Sequence, residues 1–527
     1  MNPNIIAIVG GGATAISLIE SLENELRAEA MRDITIFVIE KRHQRGRGLA
    51  YDVDLHTNLL NTRAGYITPF PTKPGHFYNW ITANRGAWED EFTNLEINES
   101  SFVPRPLFGL YLEHVMNELS GKLAGRGVNL VHLRAEVTDV RRAANGDFVL
   151  ITDTSLMIRA DRVVLACGNL QSRELSSLQN HAGFFNNPYP VRRLVRTIKP
   201  DSKVAILGAR LGAIDVAVGL ARSDHYGPIT MISRSGYFPS VRGTQGRYTP
   251  QILTLERLRQ HGRTFGKITL EELTRWIIDE VHLAGGRDPE LADLPPSPPD
   301  DPLRFFQDEI KLAERPRPWQ AVLYATNPLI DCIWQLLDDA DKQVFLNQYQ
   351  AAWMSYRVSI PVENAKQLID LCKSGRLAFK SGRADVQADG SGFHVAVHGR
   401  DRIDAAHFDC VVGAFGSPRD ARLLDSILVQ NLLSSGLARC HRHGGLEVKY
   451  QSGRLIEDAG QSQLNIWALG ELTAGVNFFT SALEINARHA AQVARDIVKS
   501  LKVLMPSALP EPEDISPVME VARDIRA

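Results

Sequence analysis

The sequence predicts an α/β fold with two Rossmann-like units and a helical insertion. Three observations lead there. An apolar strand opens the chain and runs into Gly10-Gly11-Gly12-Ala13-Thr14-Ala15. A second such strand runs into Gly208-Ala209-Arg210-Leu211-Gly212-Ala213. Between residues 241 and 375 the alternation of strand and helix gives way to helical patterns alone.

The first unit is built in order. Ile5-Ile6-Ala7-Ile8-Val9 is continuously apolar, as a strand buried on both faces requires. In the turn, Gly10 makes the tight bend, Gly12 lets backbone approach a pyrophosphate, and Ala15 lets helix and strand pack closely. Ala13 and Thr14 open a helix whose apolar positions Ile16, Ile19, Leu22 and Leu26 fall on one face. Its free N–H groups and positive dipole end suit phosphate. Ile34–Ile39 is the second strand, and Glu40 at its end is placed to accept from a ribose diol.

Composition narrows the class. The chain has 527 residues, 44% hydrophobic and 23% charged, which suits a multidomain globular enzyme. A net charge of −2 gives no electrostatic case for nucleic acid or an anionic membrane. The five cysteines are far apart, without Cys-x-x-Cys, which fits a reducing cytoplasm and argues against a dithiol centre. The histidines show no metal-ligand spacing, and His441-x-His443 reads as surface. No stretch reaches the roughly 18 apolar residues a membrane span needs.

Lys41 to Ser101 reads as a long loop, a length that usually signals function. A helix near Leu107–Leu123, a strand Val128–Leu133 and a hairpin turning at Asn145-Gly146 follow. Val163–Ala166 is the next buried strand. The second unit has strand Val204–Leu207, helix Ile214–Ala221 and strand Ile229–Ile232. Arg210 stands where the middle glycine belongs; it either crowds a pyrophosphate or pairs with it. Arg234, just past Ser233, is a cation where an NAD site carries an acid, so it suits the 2′-phosphate of NADPH or is a solvated surface charge. Helices are expected over 270–284, 329–337, 342–354 and 362–371, with the proline-rich Leu294–Pro299 as an exposed loop. Strands resume near 377, 393 and 410, and a helix spans 483–501.

These residues resemble the two-dinucleotide-binding flavoproteins of the glutathione-reductase-like superfamily. The resemblance implies FAD on the first unit and NADPH on the second. It assigns Gly470-Glu471 to the FAD ribityl or pyrophosphate region, Val137 to a backbone contact with adenine, and Ala166-Cys167-Gly168 to the crossing between domains. Gly48-Leu49-Ala50-Tyr51, Leu60-Asn61-Thr62, Phe77-Tyr78-Asn79-Trp80 and Val103-Pro104-Arg105-x-x-Phe108-Gly109-x-Tyr111 are similar to a bacterial subfamily of FAD/NAD(P)-binding proteins. That subfamily includes flavin-dependent amino-acid N-monooxygenases, among them an aspartate N-hydroxylase.

On this basis residues 1–195 and 400–504 form a discontinuous FAD-binding domain, and 196–240 with 376–399 an NADPH-binding domain. Residues 241–375 are the helical insertion and 505–527 a loosely attached tail. The expected cofactor contacts are Gly10, Gly12, Ala13, Thr14, Ala15, Glu40, Val137, Gly168, Gly470 and Glu471 for FAD. For NADPH they are Gly208, Arg210, Leu211, Ser233 and Arg234. The implied reaction is hydroxylation of an amine nitrogen of a small molecule by molecular oxygen through a C4a-hydroperoxyflavin. Asn61 is then either the polar group beside the isoalloxazine or a turn-stabilising residue. A carboxylate-bearing substrate would want arginine forks, with Arg63, Arg105, Arg242, Arg247 and Arg357 as candidates. The alternatives are an NAD(P)H-dependent flavin oxidoreductase without oxygen insertion, and a non-catalytic flavoprotein.

Overall fold

A computed structural model describes residues 4–286 and 297–503. The tail 505–527 and residues 294–296 of the proline-rich connection lie outside the described residues.

The first sheet has six strands in the order Arg454–Ile456, Ser462–Ala468, Arg162–Leu165, Asn4–Val9, Ile34–Ile39, Val128–Leu133. All neighbours are parallel except the first pair. Asn4–Val9 shows why its apolar run is unbroken. Ile6 and Ile8 face one side, with Ala15, Ile16 and Ile19 of helix Ala13–Ala28. Ala7 and Val9 face the other, with Val140, Leu150 and Leu428. Each fully buried Ile or Leu on these faces contributes about 1.5–3 kcal/mol. Helices Arg105–Ala124 and Leu483–Val503 pack on Ala13–Ala28. The opposite face is covered by antiparallel strands Val137–Arg142, Phe148–Thr152 and Met157–Ala160, and by helix Ile427–Ser434.

The second sheet is all parallel, in the order Leu377–Ser381, Ile229–Ser233, Val204–Leu207, Cys410–Gly413, Phe184–Phe185. Helices Leu211–Arg222, Pro302–Ala313 and Val362–Lys373 share its core on one face. The antiparallel layer Arg383–Ala388, Phe393–His398 and Ile403–Phe408 covers the other. The remaining inserted helices form their own core with Phe478, Phe479 and Ile485, next to the Gly470 segment.

Several elements differ from expectation. The loop after Glu40 contains helix His76–Ala83, which buries Phe77, Trp80 and Ile81. Strand Met157–Ala160 and helices Leu255–Phe265, Pro302–Ala313 and Pro318–Ala325 were not foreseen. The expected helix over 342–354 is helix Asp339–Val344, a π-helical turn Phe345–Tyr349 and helix Gln350–Arg357. His443 is buried against Trp334 rather than at the surface, because residues 441–445 fold over the start of the 470–475 segment. All five cysteines are free thiols. Among the described residues no helix is long and apolar enough to cross a membrane.

Candidate active site

The two glycine turns are built alike. Gly10 has φ +102°, and a Cβ there would overlap the Ala166 carbonyl oxygen; Gly208 has φ +140°, and a Cβ would overlap that of Ala414. Each carbonyl follows the neighbouring strand, so the same contact closes both turns, and only glycine fits. Gly12 and Gly48 pass backbone to backbone, a Cβ on Gly48 coming within 3.0 Å of the Gly12 Cα.

Helix Ala13–Ala28 begins at Gly12 with no side-chain cap and no acid in its first turn. Its leading N–H groups are therefore available to an anion. Ala13 and Thr14 form that opening, and Ala15 is buried against the strand. The Glu40 carboxylate accepts from the Gly11 N–H (3.1 Å), and from the Arg42 N–H (3.0 Å) and Nη1 (3.1 Å). Glu40, Arg42, Arg45, His132 and Arg134 line a cleft of about 230 Å³ beside the turn. Burial and the Arg45 charge lower the His132 imidazole to about 4, so it is neutral there. Val137 is buried in its strand, and Gly168 (φ +70°) ends the segment after Arg162–Leu165. Gly470 (φ +70°) opens the turn that carries Glu471. Burial pushes the Glu471 carboxyl up, against a hydrogen bond from Thr480 Oγ1 (2.8 Å) and the Arg419 charge.

In the second unit, Arg210 precedes helix Leu211–Arg222 with φ −106° and ψ −164°, close to the −86° and −165° of Gly12. This is extended backbone that needs no glycine. The Arg210 side chain reaches into the insertion and donates to the Ala351 carbonyl (3.2 Å). Burial and the nearby Arg234 charge lower it to about 10. Ser233 is buried and donates to the Tyr237 carbonyl (3.1 Å), while Arg234 is exposed.

Between the units, loop 58–67 meets the insertion. Arg63 donates to the Gly243 (2.9 Å) and Gln245 (3.1 Å) carbonyls. Arg242 donates to the Asn61 carbonyl (3.1 Å), and its guanidinium lies 3.6 Å from the Tyr324 ring centre. Arg357 lies over the same ring (4.2 Å) and over Phe479 (5.0 Å), and donates to Asn327. The buried Nε of all three arginines lacks a partner, and among the described residues none of the three is ion-paired. Stranded donors of this kind are costly unless an anion joins them. Arg247, another candidate, is exposed and rests over Tyr66 (4.7 Å).

Arg105 does not join this group. Its guanidinium pairs with Asp215 (3.0 Å) and donates to the Tyr189 hydroxyl (2.6 Å) and the Leu59 carbonyl (3.1 Å). Tyr189 also donates to Asp215 (2.6 Å). This buried strut joins the first unit's helix Arg105–Ala124 to the second unit's helix Leu211–Arg222, and a local sequence signal for it exists only in the isolated Arg105. Tyr324 was also missed, since nothing near it in sequence marks it out.

Residues 7–170 match the family model described as FAD-NAD(P)-binding. No curated protein matches the chain in sequence. Solved structures do match in shape. The ornithine hydroxylase of Pseudomonas aeruginosa aligns at 14% identity and a TM-score of 0.57, over 95% of this chain and 100% of that one. The L-lysine 6-monooxygenase of Pseudomonas syringae aligns at 15% and 0.55, over 95% and 100%. The ornithine N-hydroxylase of Kutzneria sp. 744, solved with reduced FAD, NADP+ and L-ornithine, aligns at 14% and 0.54, over 95% and 99%. The chain therefore carries an FAD-NAD(P)-binding region at its N-terminal end and shares the two-dinucleotide fold of the flavin-dependent amino-acid N-monooxygenases.

Proposed function

We propose that the chain is an FAD- and NADPH-dependent monooxygenase that hydroxylates an amine nitrogen of an amino acid or similar small molecule. The observation that carries this reading is the group of unpaired guanidiniums, Arg63, Arg242 and Arg357, where the first unit's loop meets the insertion.

The first turn suits FAD: the uncapped helix its pyrophosphate and the anchored Glu40 its ribose, and we assign Val137, Gly168, Gly470 and Glu471 to the same cofactor. The second suits a dinucleotide at Gly208 and Leu211, with Ser233 and Arg234 toward a 2′-phosphate and Arg210 turned to the Ala351 carbonyl of the insertion. Bound FAD would supply electron transfer from NADPH to oxygen, the step no side chain can perform. The protein's share is placement and dryness. Arg242 and Arg357 would hold the substrate carboxylate, with Arg63 adding positive charge and Asn61 beside them. Phe345, Trp353, Phe478 and Phe479 form an aromatic wall that would keep water out.

The test is purification with FAD, followed by NADPH oxidation with a panel of amino acids and scoring of hydroxylamine product. A yellow protein that couples NADPH oxidation to product is expected. A colourless protein that takes up no flavin would overturn the reading. Peroxide as the sole product with every amine would replace it with a flavin oxidoreductase.

A further inference from the structure

We propose that Tyr324 is the proton acceptor that converts the substrate's ammonium into the free amine. The identity of the proton donor rests on the N-hydroxylase reading above; the claim about the phenol does not. An amino acid brings its amine as an ammonium at neutral pH. Nitrogen can be hydroxylated only through its lone pair, so one proton has to leave first.

Tyr324 is placed for this. It is half-buried, with the Arg242 and Arg357 guanidiniums over its ring and Ser359 Oγ 2.8 Å from its hydroxyl. Arg242 ties it to Asn61, and Arg357 ties it to Phe479, so it stands between the two segments the proposed site uses. The charged and titratable groups around it are few. Arg63 and Tyr66 act on Arg242, and Glu484 acts on Arg357. Glu484 is held off by Asn327, whose amide donates to it (3.2 Å) while its oxygen accepts from Arg357.

Electrostatics point the same way. Burial pushes the phenols of Tyr51, Tyr111, Tyr189 and Tyr450 up. It acts on Tyr324 too, but the two guanidiniums and Ser359 outweigh it and hold this phenol below the ordinary range. The step balances simply. An ammonium N–H bond breaks, its electron pair stays on nitrogen, and the proton forms an O–H bond with the phenolate. Binding of a substrate carboxylate to the same arginines would raise the phenolate's basicity as the amine arrives.

The experiment compares the FAD-loaded wild type with Tyr324→Phe. The near-ultraviolet tyrosinate signal, taken as a wild-type minus variant difference across pH, should show one phenol ionising below the ordinary range. With L-ornithine, L-lysine and L-aspartate as probes, the variant should lose about a hundredfold in hydroxylated product at neutral pH. Product should recover as pH rises and the amine loses its own proton, while flavin reduction by NADPH stays unchanged. Absence of the low-titrating phenol overturns the proposal, as does a variant that keeps the wild-type ratio of product to NADPH at neutral pH. The titration needs no substrate, so it decides the ionisation claim even if no amine is hydroxylated and the N-hydroxylase reading falls.

Discussion

The turns at Gly10 and Gly208 have the same backbone and different surroundings. Both place a positive-φ glycine against the carbonyl that ends the neighbouring strand, and both enter the helix through an extended residue. At the first turn that residue is Gly12, packed on Gly48, and the anchoring carboxylate Glu40 comes from within the unit. At the second it is Arg210, whose side chain leaves the unit for the insertion. The comparison teaches that the glycine pattern encodes two separate things. The first glycine is a steric requirement of the turn; the second is a matter of what must come near it.

The largest effect tests whether the units act as one body. Asp215→Ala leaves Arg105 buried without its partner and should lower stability by about 3–5 kcal/mol, read as a fall in Tm, with FAD retained. Next come the turn glycines. Gly10→Ala and Gly208→Ala each force a Cβ into a carbonyl and a positive φ onto alanine, with backbone strain of about 1–3 kcal/mol and the overlap besides. Gly10→Ala should yield protein without flavin, whereas Gly208→Ala should keep flavin that NADPH no longer reduces; identical outcomes would break the comparison. Glu40→Ala removes the acceptor for the Gly11 N–H and should weaken FAD binding by about 1.5–3 kcal/mol, measured by flavin titration. The smallest effects separate the two cations of the second unit. Arg234→Ala should raise KM for NADPH about tenfold and leave NADH unchanged. Arg210→Gly should shift it by less than about threefold, since its donation to Ala351 is one ordinary hydrogen bond.

Much of this was legible in the chain where both faces of an element are buried. Strand Val204–Leu207 matches its apolar run residue for residue, because a parallel strand covered on both sides leaves no polar position, and Ile34–Ile39 matches with Thr35 as its one polar residue, at a half-buried place. Other elements carried signals that periodicity did not surface. Helix Pro302–Ala313 starts with Asp301 capping the Leu303 and Arg304 N–H groups and with proline in its first turn; helix Leu255–Phe265 starts with Thr254 accepting from Arg257. Helix His76–Ala83 follows a left-handed Gly75 and has no side-chain cap, so little marked its start. The arginines show the limit of sequence. Arg105 and Arg242 look alike as letters, yet one meets Asp215 and the other meets Tyr324. Partner choice of that kind is settled by tertiary packing across long separations in the chain.

The Arg105–Asp215–Tyr189 strut bears on how a nicotinamide cosubstrate would come and go. Swinging the second unit away from the first would break this ion pair and the charged hydrogen bonds around it, at about 1.5–3 kcal/mol for each bond. Such a penalty favours a fixed frame in which the cosubstrate threads in and out along its groove while the two halves keep their mutual orientation through every turnover.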